Sequence, residues 1–245
     1  MNELSVHTAS DQLSQIKRWP TTRSKAWVSR FVDSASHDDN IMAIVAVGSA
    51  VRPAVSSVDL DLVVVYRRSQ RLKGDPPIEV DCRAYQLSQI DALLLSGNDM
   101  LGWAIKFGCV LFERNSYWSS FAASWQGRLP LPPVDVARQR AEDAFCRLAS
   151  VAELGDFDAA HEQAVSYVTH LARAELLERK VYPASRPELP QQLRDIGFHE
   201  IARWLELLID PAANHQEQIT QLLQSRRLTK ACSRRRPVRP TSRRG

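Results

Sequence analysis

The stretch AIVAVGSAVRPAVSSVDLDLVVVY, residues 43–66, constrains the fold more than any other part of the sequence. An apolar run rich in β-branched residues ends at Gly48, which predicts a buried strand over 41–47. A second apolar run predicts another strand over 60–66, with Asp59 and Asp61 at its beginning. Side chains two residues apart on a strand point to the same face, so these two carboxylates are expected to lie side by side.

Two neighbouring carboxylates need a compensating charge. At a separation of about 4 Å and an effective dielectric constant near 20, their repulsion costs roughly 4 kcal/mol. Mg²⁺ held by a few carboxylates and by substrate phosphates is the usual compensation. The segment 78–85 alternates apolar and polar residues, which predicts a half-buried strand with Asp81 on its polar face. The sequence therefore predicts a metal site formed by Asp59, Asp61 and Asp81, with two Mg²⁺ ions expected.

The turn after the first strand has the composition of a phosphate-binding loop. A glycine at position 48 lets backbone N–H groups approach a phosphate, and the Ser49 hydroxyl adds a donor. Arg52 is predicted to neutralise charge on the β- or γ-phosphate of a nucleotide. The alternative interpretation is a loop glycine followed by surface aspartates at the start of a strand.

The order of the predicted elements indicates an α+β chain, with a mixed-sheet domain followed by an all-α helical bundle. The Pro-rich segment LPLPP (129–133) separates the two parts, and only helical periodicity follows it. We assign 1–20 to an N-terminal extension, 21–128 to the sheet domain, 134–228 to the bundle and 229–245 to a disordered basic tail. The helices are predicted at 10–19, 22–34, 88–107, 116–125, 134–153, 158–180, 189–209 and 216–228, and a further short strand at 110–113.

Charge and cysteine content restrict the partners and the compartment. Nine basic residues and no acidic residue lie from Arg226 onward; removing them from the formal +4 leaves −5 for residues 1–225. This acidic body argues against a nucleic-acid groove, although the tail is suited to RNA or anionic surfaces. The sequence contains neither an apolar stretch that spans a bilayer nor a secretory signal, and its 4 cysteines are widely spaced. We therefore expect a cytoplasmic protein with free thiols and no membrane partner.

The pattern of strand, Gly48-Ser49, spacer, Asp59-x-Asp61, strand and a third aspartate, Asp81, resembles the nucleotidyltransferase superfamily of DNA polymerase β-like fold. Within it, the chain looks most like the minimal nucleotidyltransferases and the aminoglycoside adenylyltransferases, in which a helical bundle follows the catalytic domain. The resemblance implies that Gly48 and Ser49 bind phosphates, that Asp59 and Asp61 bind metal, and that Asp81 is either a third ligand or the base.

The implied activity is the transfer of a nucleoside monophosphate, expected to be AMP from ATP, to a hydroxyl of a small molecule or protein, with release of pyrophosphate. The alternatives are a non-catalytic nucleotide-binding or antitoxin-like protein, and a ribonuclease of the HEPN type in the helical domain. Arg194 and His199 match the spacing of that ribonuclease motif, but so many arginines make a chance match expected.

Several residues of the second half are weaker candidates. Tyr167, Arg173 and Lys180 are placed either toward the cleft or, preferably, on a solvated helix face with the tyrosine in the bundle. Glu142 and Glu175 are candidate bases, although a surface position is preferred for each. The 6 histidines are scattered without ligand spacing, so no zinc site is predicted.

Overall fold

The computed structural model describes residues 13–52, 59–68, 74–210 and 212–233. These residues confirm the α+β class. The strands are β1 (Ile41–Val47), β2 (Leu60–Tyr66), β3 (Val80–Gln86) and β4 (Cys109–Glu113). The helices are α1 (Thr22–Ser36), α2 (Ile90–Leu95), α3 (Asp99–Phe107), α4 (Tyr117–Trp125), α5 (Val134–Glu153), α6 (Phe157–Glu178), α7 (Leu189–Asp195), α8 (His199–Ile209) and α9 (His215–Ser233).

The four strands form one mixed sheet in the order β3-β2-β1-β4. β1 is antiparallel to both of its neighbours, and β2 is parallel to β3. Every residue of β1 is buried, as its continuous apolar run predicts. β3 lies at an edge of the sheet and is only partly buried, so it has room for polar side chains.

Side chains alternate between the two faces of the sheet, and each face has its own core. On one face, Ile44, Leu62 and Val64 pack in one cluster with Val28 and Phe31 of α1. The opposite core joins strand residues to α2, α3 and α4 and contains Val45, Val63, Val65, Leu94, Leu101 and Trp118. Asp61 has the same strand parity as the residues of this second core, so it lies on the face covered by α2 to α4.

Helices α5 to α9 surround a separate core. Small residues on α5 and α6, among them Ala144 and Ala164, let the two long helices approach closely, and Leu148 packs with them. Leu193 of α7 and Leu205 of α8 belong to the same core. The predicted bundle arrangement and the predicted domain boundaries remain predictions. No helix within the described ranges is both long and apolar enough to cross a bilayer.

Several predicted elements differ in their bounds. The predicted helix at 88–107 is two helices, because Gly97 adopts a φ of 78° and Asn98 caps α3 by accepting from the Leu101 N–H. The predicted helix at 189–209 is likewise divided at Gly197, which has a φ of 85°.

The ends of three predicted segments are also corrected. The strand predicted at 78–85 begins at Val80, and Ile78 is 99% exposed rather than packed on the sheet. Residues 16–19 of the helix predicted at 10–19 are not helical, although Ile16 is buried. Helix α9 extends to Ser233, five residues beyond the predicted end of the last helix at 228. The disordered tail predicted for 229–245 stays a prediction, and 234–245 lie outside the described residues.

Candidate active site

The predicted carboxylates meet where β2 and β3 begin. The parallel register pairs Asp61 directly with Asp81, so both side chains lie on the same sheet face at neighbouring positions. Asp59 is exposed and precedes β2 by one residue, and it is near enough to Asp61 for its charge to act there. Sequence and structure thus agree that the three carboxylates belong to one region.

Asp61 has the most perturbed carboxyl group of the three. Burial, followed by the negative charges of Asp59 and Asp81, raises its pKa from 3.8 to about 6, and the nearby Arg83 partly opposes this increase. Burial and the two neighbouring carboxylates each disfavour the ionised form of Asp61, whereas the charge of Arg83 favours it. A divalent cation or another positive group at this position would reverse the effect, so the carboxylates form a region that is prepared for positive charge.

The backbone at Gly48, in the turn that the sequence predicts to bind phosphates, lies against Asp61. Its φ is 80°, a left-handed conformation that favours glycine, and a β-carbon there would lie 2.6 Å from Asp61 Oδ2. Ser49 follows as the first residue of a short 3₁₀ turn, Ser49–Val51. The predicted Gly-Ser pair is therefore adjacent to the predicted carboxylates.

Asp81 is currently held by a neighbour on its own strand. Its Oδ2 accepts from Arg83 Nε at 2.9 Å and from Arg83 Nη2 at 2.6 Å. Within the described part of the chain, no three His, Cys, Asp or Glu side chains are arranged as a ready metal site. The oxygen donors suit Mg²⁺ by chemistry, and the raised pKa of Asp61 marks the place where a cation fits. Both hydrogen bonds from Arg83 are accepted by Oδ2, so Asp81 can offer Oδ1 to a metal while it stays paired with Arg83.

Arg52 binds a carboxylate from the second half of the chain. Its Nε donates to Glu188 at 2.9 Å, and its Nη2 donates at 2.5 Å. The guanidinium also lies 5.2 Å from the centre of the Phe107 ring. Ser185 donates to Glu188 as well, through its backbone N–H at 3.2 Å and through its hydroxyl. In this arrangement Arg52 links the β1–β2 connection to the 185–188 segment, a role that sequence reasoning missed.

A cleft of about 660 Å³ opens beside Asp61. One wall comes from the sheet and the segment around α2 and α3, including Asp61, Arg83 and Asn98. The other wall comes from α5, α6 and the segment after α6, including His170 and Tyr182. Its volume is typical of sites for small molecules and cofactors, and its position between the two halves is a common location for such sites.

The helical wall contributes charged residues. Arg140 of α5 donates to Asp99 of α3 at 2.8 Å, which ties the two walls together. Arg173 of α6 also lines the cleft, as the less favoured interpretation of the sequence allowed. Burial and nearby arginines, Arg173 first among them, lower the pKa of His170 to about 4, so this imidazole is neutral at neutral pH. In the sequence, the three-residue spacing of His170 and Arg173 on one predicted helix was the feature that could have indicated that both side chains lie on the same helix face.

Trp103 and Tyr182 are aromatic residues that line the cleft. Trp103 donates from its indole N–H to the Pro183 carbonyl at 3.0 Å. A β-carbon on Gly102 of α3 would overlap the Tyr182 hydroxyl, so only a glycine permits this approach. Tyr182 can approach α3 here because Gly102 has no side chain. The sequence analysis did not identify this contact.

The other candidates from the second half lie away from the cleft lining. Tyr167 packs edge-on against Phe145 in the helical core, with ring centres 5.2 Å apart. Glu175 accepts from Arg179 at 3.1 Å. Glu142 and Lys180 are exposed and do not line the cleft. Arg194 is paired with Glu206 outside the cleft, and His199 is exposed at the start of α8.

Comparisons with known proteins give weak likeness to solved structures. No protein-family profile matches the sequence, and no curated protein matches it. A solved structure described as a nucleotidyltransferase-like protein from Exiguobacterium sibiricum 255-15 is similar at 18% sequence identity and a TM-score of 0.38. The match covers 85% of this chain and 77% of that chain. A likeness of this strength does not assign a family, so function has to be inferred from the site itself.

Proposed function

We propose that this chain is a nucleotidyltransferase that moves a nucleoside monophosphate, AMP by preference, from a nucleoside triphosphate to a hydroxyl group. The observation that supports this most is the placement of Gly48 against Asp61, which is itself beside Asp81 and near Asp59. The Gly48–Ser49 turn and the carboxylates therefore meet at Asp61, which lines a cleft that is large enough for a nucleotide.

We assign a separate role in the reaction to each group of residues. Backbone N–H groups at Gly48 and Ser49 and the Ser49 hydroxyl would bind the phosphates. Asp59 and Asp61 would hold Mg²⁺, with two ions expected. Bound there, Mg²⁺ supplies charge neutralisation for an in-line displacement at phosphorus. The acceptor oxygen forms a bond to the α-phosphorus, the bond to the bridging oxygen breaks, and pyrophosphate leaves.

Asp81 is the group we assign to the acceptor proton. Both hydrogen bonds from Arg83 are accepted by Oδ2 of Asp81, so Oδ1 would take the proton of the acceptor hydroxyl. As the alternative role, the same oxygen would act as a third metal ligand.

Arg52 receives a role other than the predicted phosphate contact. Because its guanidinium is paired with Glu188, it would position the 185–188 segment beside the Gly48–Ser49 turn rather than neutralise phosphate charge.

The thiols of Cys82, Cys109 and Cys146 are free, and we place the protein in a reducing cytoplasm on this basis.

The test is Mg²⁺-dependent release of pyrophosphate from each of the four common nucleoside triphosphates, offered with a panel of hydroxyl acceptors. The expected result is release that is fastest with ATP and is lost in Asp61→Asn. Asp75→Asn, which changes an exposed carboxylate outside the cleft, is the matched control and should retain full activity. Nucleotide binding without any release would favour the second candidate, a non-catalytic nucleotide-binding module.

A further inference from the structure

The cleft has an uneven distribution of charge. Arg83, Arg140 and Arg173 line it, and the acidic side chains that line it are Asp61 and Asp99. Asp61 belongs to the proposed metal site, and Asp99 accepts a hydrogen bond from Arg140 at 2.8 Å. The helical wall therefore has more cationic groups than its own carboxylates neutralise.

Arg173 is the cation that lacks a counterpart. No described residue forms a hydrogen bond or a salt bridge with its guanidinium, although it is partly buried between α6 and the cleft. Asp99 is close enough to favour its charge electrostatically, but Arg140 and Arg186 oppose that charge. A guanidinium withdrawn from water without a partner is costly, and such a group normally has a ligand.

His170, one helical turn before Arg173, provides a second and independent indication. Its Nδ1 is buried and has no hydrogen-bond partner. Its low pKa keeps the ring neutral, so one nitrogen of the ring carries a hydrogen and can donate. An unpartnered imidazole nitrogen and an unpartnered guanidinium on the same helix, beside one cleft, form a site for an anionic group.

We propose that Arg173, His170 and Arg140 bind a phosphate or carboxylate group of the acceptor, so that the acceptor is a small anionic molecule that also carries a hydroxyl. This inference rests on the proposed function, in which Gly48, Ser49 and the metal site take the nucleotide's phosphates on the sheet wall. The two arginines and the neutral imidazole of His170 lie on the helical wall, where the acceptor must approach.

The charge of this wall also excludes one acceptor class that the sequence allowed. An aminoglycoside carries several ammonium groups at neutral pH, and it would face arginines in the cleft without a compensating set of carboxylates. Anionic acceptors gain charge-assisted hydrogen bonds at the same position. The acceptor therefore differs in charge from the substrates of the aminoglycoside adenylyltransferases that the sequence resembles.

The test is calorimetric titration of inorganic phosphate into the full chain saturated with a non-hydrolysable ATP analogue and Mg²⁺. Phosphate is expected to bind the wild-type complex and to bind Arg173→Met about 10- to 100-fold more weakly, the loss expected for charge-assisted hydrogen bonds. Arg147→Met is the matched control, because Arg147 is an exposed arginine of α5 that bonds to Gln163. It should bind phosphate like the wild type.

Two further measurements distinguish loss of the anion site from loss of the fold. The melting temperature of Arg173→Met should equal or exceed that of the wild type, because the change removes an unpartnered charge, and Arg173→Lys should recover part of the phosphate affinity. In turnover, a hydroxyl compound with a phosphate group, such as glycerol 3-phosphate, should accept AMP better than an aminoglycoside.

Three results would overturn the inference: no phosphate binding to the wild-type complex, equal binding to Arg173→Met, or adenylylation of the aminoglycoside in preference to anionic acceptors. Phosphate that competes with the ATP analogue, together with weaker analogue binding by Arg173→Met, would assign Arg173, His170 and Arg140 to the nucleotide instead. If the analogue fails to bind while phosphate still binds through Arg173, the proposed function is wrong and the anion site remains.

Discussion

Replacing Asp61 by asparagine should stabilise the metal-free protein. The pKa of Asp61 is raised from 3.8 to about 6 by burial and by the neighbouring Asp59 and Asp81 carboxylates. A difference of that size corresponds to roughly 3 kcal/mol of unfavourable free energy for the ionised form. Because the side chain keeps some contact with water, we expect about 1–2 kcal/mol of it to be recovered in Asp61→Asn.

The pH dependence gives this prediction its sign. The folded-state pKa lies above the unfolded-state value, so the folded chain binds the proton more tightly and loses stability as the pH rises between 3.8 and about 6. The penalty is absent below the lower value and complete above the higher one. The stabilisation by Asp61→Asn should therefore be full at neutral and alkaline pH and should disappear at acidic pH.

The assay is thermal unfolding in the presence of a metal chelator at about pH 8 and about pH 4. At the higher pH, Asp61→Asn should melt about 2–8 °C above the wild type, and at the lower pH the two should coincide. Asp75→Asn, at an exposed carboxylate, should match the wild type at both. An equal melting temperature at about pH 8, or an increase that is independent of pH, would refute the electrostatic reasoning.

Two other substitutions test the surroundings of the site. Gly48→Ala should destabilise the fold by about 1–2 kcal/mol and weaken nucleotide binding, because the residue has a φ of 80° and its new β-carbon would meet Asp61 Oδ2. A melting temperature and a nucleotide affinity like those of the wild type would refute this. Arg52→Met and Glu188→Gln should each lower stability by about 1–3 kcal/mol and the double variant by less than their sum; additive losses in denaturant titrations would show that the pair does not interact.

The sheet and the carboxylate region were predictable from the sequence because their patterns are local. β1 and β2 have the bounds that their apolar runs predict, and the two-residue alternation along β2 placed Asp61 on one face. Parallel pairing of β2 with β3 then sets Asp61 opposite Asp81, a long-range register that the sequence did not specify.

The helical wall of the cleft was not predictable in the same way. Arg140, His170 and Arg173 are far from the sheet in sequence, and only the tertiary structure, with contacts such as the Arg140–Asp99 ion pair, brings them to the cleft that Asp61 lines. The sequence did not indicate that Arg52 pairs with Glu188, because the partner lies 136 residues away. Long-range ion pairs depend on tertiary structure, whereas turn and strand patterns do not.

The most direct test of the central proposal is calorimetric titration of a non-hydrolysable ATP analogue, with and without Mg²⁺, set beside the single-turnover rate of transfer. Asp59→Asn and Asp61→Asn should lose Mg²⁺-dependent binding of the analogue, because each removes a proposed metal ligand. Asp81→Asn should retain that binding and slow transfer by about 10²–10⁴-fold, as expected for loss of a general base. Equal loss of affinity in all three variants would make Asp81 a metal ligand. Mg²⁺-dependent binding by Asp61→Asn equal to that of the wild type would contradict the account.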